Sequence, residues 1–318
     1  MTYNIRNNCT HISKVPESWE PTWIVDHCWM KNGLNVINGS PKAHKSVLRR
    51  YLMSCSISGS PAFGSFEVGE RIKRPLVLIG EDHPGAERSY TTQALKTLGY
   101  DMLPDMTLVE SPAFWLDNKE MMRSLNSFVS EEGIDMVIVD SLRSFHMQGE
   151  NDSLDINKVF GPLTELKRKT TVVVIHHAGK GGIKNKDDVD TRTPGELSRG
   201  SGAIAGYADT TLALSRIGKS NRHWLKFETK YAEEYEDIEL VLDPATWTFG
   251  MREGELDAGQ VAEFLKINPG TSKNNMTQKL GYRKDVVLQM VKNMEQNGLI
   301  RVEFGGKGKA DRLFLEGS

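Results

Sequence analysis

The chain has 318 residues, 38% of them apolar, a formal net charge of −2 and a mean hydropathy of −0.43. This length suits one large domain plus a small one, and the near-neutral charge excludes wholesale attraction to nucleic acid, leaving such contacts to local patches. No apolar run approaches the ~18 residues of a membrane span, the polar residues 1–14 lack a signal-peptide core, and Cys9, Cys28 and Cys55 form neither a disulfide framework nor a zinc pattern, so a cytoplasmic protein with no membrane partner is expected.

Residues 1–33 are a polar start followed by Trp19, Trp23 and Trp29, with Pro16 and Pro21 among them. They are expected to pack on the domain that follows, with base stacking by one tryptophan as the alternative. Residues 34–37 read as an apolar strand and 47–58 as a helix. Between them lie Gly39, Ser40, Pro41, Lys42, Ala43, His44, Lys45 and Ser46, with Val47 continuing the helix. Strand, polar loop and Lys-Ser at a helix start are the layout of a P-loop, whose backbone N–H groups converge on an anion. Lys45 can reach the β- and γ-phosphates of ATP, and the Ser46 hydroxyl can hold Mg²⁺. The second glycine of the motif is replaced by His44; the alternative is an ordinary strand-to-helix turn.

Residues 74–82 form a continuous apolar run ending in Glu81 and Asp82, as expected of a parallel strand covered on both faces. A helix over 85–98, a short strand over 107–109 and an amphipathic helix over 118–132 follow, the last with Asn118 as its cap. Residues 135–141 give a second buried strand ending in Asp140. A loop (141–152), a helix (154–169) and a third buried strand (171–177) ending in His176 and His177 come next. The polar stretch 179–202 is long enough to be a functional loop. Strands over 209–215, 223–230 and 238–243 complete an α/β, doubly wound, mainly parallel sheet. Ligands in such sheets bind beyond the carboxyl ends of the strands, where the P-loop, Glu81, Asp140 and the histidines would gather.

The pattern changes near residue 254. Short helices over 257–266, 273–280 and 284–297 precede a hairpin of 299–304 and 312–315, which together spell a small winged helix-turn-helix domain. The expected divisions are therefore 1–33, 34–250 and 254–318. Ten basic residues stand against eight acidic from 254 onward. Lys307 and Lys309, with Arg301 and Arg312, cluster in the wing. Lys284 and Lys292 lie on the solvent face of the third helix. These suit duplex DNA, with a protein-docking module as the alternative.

Phosphoryl transfer to water needs a phosphate cradle, a metal, an oriented water and neutralisation of γ-phosphate charge. Asp140 suits the metal side and Glu81 the water, with Asp82 ranked second. His177 or His176 could sense the γ-phosphate. Adjacent strand residues face opposite ways, so the two do not share one ligand.

Residues 39–46, Gly80-Glu81-Asp82, Ile138-Val139-Asp140-Ser141, Ile175-His176-His177 and Arg199-Gly200-Ser201-Gly202-Ala203 occur in the order of RecA-like ATPases. Over roughly residues 20–245 the chain resembles the plasmid RepA-type and DnaB-like replicative helicases. The resemblance implies a ring, usually a hexamer, with ATP at subunit interfaces and replication proteins as partners. It implies a catalytic glutamate at Glu81 and a basic residue entering the neighbour's site, with Arg199 and Lys230 the candidates and Lys226 a third. It also places DNA loops at 141–152 and 179–202, the second carrying Lys180, Lys184, Lys186 and Arg192 for single-stranded DNA. An ATP-driven translocase or helicase of plasmid, phage or mobile-element replication is expected. Its rivals are a nucleotide-gated loader without motor action and a regulator in which the winged helix does the work.

Overall fold

The computed structural model describes residues 11–14, 17–110, 114–147, 153–177, 193–197, 203–233, 235–251, 256–280, 284–305 and 310–316. The expected helices and strands are present, with small shifts at their ends. In chain order they are β1 (Trp23–Val25), β2 (Trp29–Met30), β3 (Leu34–Gly39), α1 (Lys45–Ser58), β4 (Pro75–Ile79), α2 (Pro84–Thr97) and β5 (Thr107–Glu110). Then come α3 (Lys119–Glu132), β6 (Met136–Asp140), a 3-10 turn (Leu142–Phe145), α4 (Ser153–Leu166), β7 (Thr171–His177), α5 (Pro194–Leu197), α6 (Ala203–Tyr207), β8 (Thr210–Arg216), β9 (Arg222–Thr229), β10 (Ile238–Asp243) and β11 (Thr248–Met251).

Among the described residues, nine strands form one sheet in the order β11-β10-β9-β8-β3-β7-β6-β4-β5. From β8 to β5 every pairing is parallel, and β9, β10 and β11 add on antiparallel. The central strands β3, β4 and β6 are buried at every position, which is why their sequences read as unbroken apolar runs. Their side chains still alternate. Met136 and Ile138 of β6 join the core beneath α1, while Val137 and Val139 join the core beneath α3 and α4. Each such side chain contributes about 1.5–3 kcal/mol of transfer free energy.

α1 follows β3 directly and is buried along most of its length. Tyr51 of α1 meets Phe63, which meets Phe66, and Phe66 stacks on Phe227 of β9 with centroids 5.7 Å apart. The N-terminal segment packs as expected, through an antiparallel β1–β2 hairpin that periodicity did not reveal because its strands are two and three residues long. Trp29 is fully buried, Trp23 stacks on His27, and Trp19 lies edge-on to Tyr231, so packing is what these tryptophans do. α3 starts at the expected cap, with Asn118 Oδ1 accepting from the Glu120 and Met121 N–H groups.

Beyond the sheet, α7 (Ala258–Ile267), α8 (Lys273–Leu280), α9 (Lys284–Gln296), β12 (Ile300–Glu303) and β13 (Arg312–Leu315) share a core of Val261, Leu265, Met276, Val287, Val291, Met294, Ile300 and Leu313. Asp257 and Gln260 form a capping box on α7, and Gly298 after α9 takes φ 67°, the left-handed turn expected there. In the hairpin, Arg301 lies 2.6 Å from Glu303 and its guanidinium covers the Phe314 ring, so its charge is partly answered within the strand pair.

Candidate active site

β3 delivers the chain to the loop at Gly39. A Cβ there would lie 2.5 Å from the Leu214 carbonyl oxygen of β8, so a side chain would force the strands apart. Lys42 and His44 take positive φ, 66° and 64°. His44 thus adopts the backbone that glycine normally supplies at this point, and its imidazole bonds to His223 of β9, Nδ1 to Nε2 at 3.0 Å. His223 Nδ1 lies 3.1 Å from the Asn221 carbonyl and donates to it, which leaves Nε2 to accept from His44. Burial, then the charge of Arg216, lowers the His44 pKa; burial chiefly holds His223 at about 3, so the pair is neutral near pH 7. No side chain caps α1, and its first N–H groups are left to an anion.

Lys45 Nζ donates to the Ser40 carbonyl at 2.9 Å and to His177 Nδ1 at 3.2 Å. Because an ammonium only donates, the His177 proton sits on Nε2, which faces Glu81 Oε1 at 3.5 Å. Burial lowers the Lys45 pKa to about 8, against the pull of Asp140 and Glu81. Below pH 8 the lysine is charged before nucleotide arrives; above it, binding must recruit a proton. Affinity for a fluorescent ATP analogue is therefore expected to be flat from pH 7 to 8 and to fall above, approaching about tenfold per pH unit. A flat profile to pH 9.5 would remove Lys45 from the phosphate contact.

Ser46 Oγ donates to Asp140 Oδ1 at 3.0 Å. These two oxygens come from the start of α1 and the end of β6, and their hard-donor chemistry fits Mg²⁺. β4 ends at Ile79, so Gly80, Glu81 and Asp82 form a turn rather than the strand end expected from sequence. The Gly80 N–H bonds the Asp140 carbonyl at 2.7 Å, and a Cβ on Gly80 would come within 2.2 Å of Ser144. The turn is thereby held against the segment after β6, where Ser141 Oγ donates to Glu81 Oε1 at 2.8 Å. Asp82 instead pairs with Arg50, and His176 is buried while His177 reaches Lys45. Glu81 and His177, rather than their neighbours, join the cluster.

Behind it lies a charge network that the motifs did not announce. Arg49 has no exposed side-chain surface. It donates to Asp140 Oδ2 from Nε at 3.1 Å and Nη2 at 2.8 Å, and pairs with both oxygens of Glu87 on α2. Arg50 Nε donates to Glu87 Oε2 at 2.6 Å and its guanidinium covers Tyr90. Burial works against the Arg49 charge, but Glu87 and Asp140 outweigh it and hold the guanidinium protonated. Burial likewise pushes the Glu87 carboxyl up, and the two arginines reverse this, bringing it to about 2. Its stabilising effect is present above the usual carboxyl pKa near 4.5 and is lost as pH falls toward 2. Glu87→Ala leaves two buried guanidiniums facing each other and is expected to cost about 3–5 kcal/mol, read as a shift of the urea midpoint. The available signal was two adjacent arginines in an otherwise buried helix, which must find carboxylates.

Of the remaining candidates, Lys230 lies beside Asp209 at the opposite edge of the sheet from the P-loop, with Nζ donating to the Gly206 carbonyl at 2.5 Å. Lys226 lies 3.6 Å from Asp237. Lys292 is exposed on α9. Lys180, Lys184, Lys186, Arg192, Arg199, Lys307, Lys309 and the side chain of Lys284 lie outside the described residues.

The model of the AAA domain family matches residues 13–182, a span that holds the P-loop, Glu81, Asp140 and His177. No curated protein matches the chain. Among solved structures, one ATPase domain aligns with a TM-score of 0.53 over 70% of this chain and 86% of that chain, at 12% identity, a likeness of fold. With more than half its length matched, a RecA-like parallel sheet and a P-loop at its carboxyl edge, the chain belongs to the AAA domain family of P-loop ATPases.

Proposed function

We propose that this ATPase is a DNA translocase or helicase of plasmid, phage or mobile-element replication, working as a ring, usually a hexamer, with ATP at the subunit interfaces. One observation carries the proposal: contacts at the sheet edge link His177 to both Lys45 and Glu81, and Ser46 to Asp140, uniting residues from separate elements in one cluster. Lys45 and the uncapped start of α1 bind the β- and γ-phosphates. Ser46 and Asp140 hold Mg²⁺, which when bound neutralises phosphate charge. Glu81 orients and partly deprotonates the attacking water. His177, bridging Lys45 and Glu81, transmits loss of the γ-phosphate to the chain after β7. Arg199 and Lys230 act on the neighbouring subunit's site, and Lys180, Lys184, Lys186 and Arg192 contact single-stranded DNA.

A second reading has its own support. The unit of α7–α9 and the β12–β13 hairpin has a separate core and presents Lys292 on an exposed helix face, as a duplex- or partner-binding winged helix would. In that case ATP gates assembly and Lys284, Lys307 and Lys309 join Lys292 on duplex DNA. ATP hydrolysis with and without single-stranded DNA, strand displacement, and mass measurement with an ATP analogue separate the two. DNA-stimulated hydrolysis, unwinding and a ring-sized mass support the motor. ATP binding by a strict monomer, with neither stimulation nor unwinding, overturns it in favour of the gated binder.

A further inference from the structure

Arg49 stands three residues beyond Ser46 on α1, one helical turn past the P-loop, and nothing in phosphate binding calls for a buried guanidinium there. Its contacts divide the Asp140 carboxylate in two. Oδ2 receives both Arg49 bonds, Nε at 3.1 Å and Nη2 at 2.8 Å, while Oδ1 receives the Ser46 hydroxyl at 3.0 Å. Asp140 is the last residue of β6, where a carboxylate is otherwise free to turn about two side-chain torsions. Arg49 cannot yield, because Glu87 grips its other edge and Arg50 grips Glu87 in turn. Arg50 also pairs with Asp82, the residue after Glu81.

We infer that Arg49 is a positioning residue for magnesium: it takes up one oxygen of Asp140 and presents the other, together with Ser46, to the cation of a bound Mg²⁺–nucleotide. The inference rests on the P-loop binding ATP. Two physical effects follow from the geometry. The two-point hold removes the entropy that Asp140 would lose on meeting the ion. The adjacent positive charge keeps a half-enclosed carboxylate ionised, so no proton need leave before the ion enters. The consequence is confined to the magnesium-dependent part of nucleotide affinity. Phosphate contacts made by Lys45 and the loop do not pass through Arg49.

Equilibrium binding of a fluorescent ATP analogue, in EDTA and across a magnesium titration, tests this without any turnover. Arg49→Met is expected to bind the analogue in EDTA within about threefold of the parent, while the gain conferred by magnesium falls at least tenfold. Arg49→Lys, which keeps the charge but not the two-point hold, is expected to recover part of that gain. Should Arg49→Met fail to fold, the double variant Arg49→Met, Glu87→Met removes both ends of the pair, a replacement that buried ion pairs tolerate. It is expected to fold and still lose the magnesium gain. A folded variant with the full gain overturns the inference, as does an equal loss with and without magnesium, which marks a structural role only. Failure of the parent to bind the analogue under any condition instead overturns the P-loop reading beneath it.

Discussion

Lys45→Ala is expected to weaken ATP binding by on the order of 10²–10³-fold. The lysine is enclosed by the loop it serves, and removing one partner of a charged, partly buried contact costs about 2–5 kcal/mol. The apo fold should survive. Lys45 loses only the bonds to the exposed Ser40 carbonyl and to His177, and its lowered pKa shows that burial disfavours the charge when no phosphate is present. Thermal melting without nucleotide should thus be unchanged or slightly raised, while the upward shift that ATP confers on the parent should vanish. Unchanged affinity in Lys45→Ala would take the phosphate site away from this loop.

Glu81→Gln separates binding from chemistry. The amide oxygen still accepts from Ser141 Oγ, and still faces His177 Nε2, so the turn between β4 and α2 keeps its anchor. What is lost is a base able to take a proton from water. The turnover number is expected to fall about 10²–10⁴-fold, with the dissociation constant of ATP within about threefold of the parent. Steady-state hydrolysis alongside equilibrium binding checks both halves. If Glu81→Gln turns over normally while Asp82→Asn does not, the catalytic carboxylate is Asp82, despite its tie to Arg50.

Legibility in the sequence followed burial and torsion. The parallel strands were readable because residues covered on both faces must be apolar throughout, and the positions of Lys45, Ser46, Asp140 and His177 followed from where those runs end. The β1–β2 hairpin and β11 were not readable: strands of two to four residues complete no period, and their identity comes from the sheet they join. The choice of Glu81 over Asp82, and of His177 over His176, was equally hidden. It depends on which side of a turn or strand meets Ser141, Arg50 and Lys45, a matter of three dimensions rather than of residue type. The Arg49–Glu87 pair joins residues 38 positions apart on separate helices, and no local rule links them.

His44 has a consequence for how such loops are recognised. What this position demands is a left-handed backbone and somewhere for the side chain to go; glycine meets both trivially, whereas here β9, two strands along the sheet, supplies the exit through His223. A pattern written in letters therefore describes a by-product of a rule written in torsions. Chains with asparagine, aspartate or histidine before the P-loop lysine, and a polar residue at the matching register of that distant strand, should build the same cradle under a different spelling.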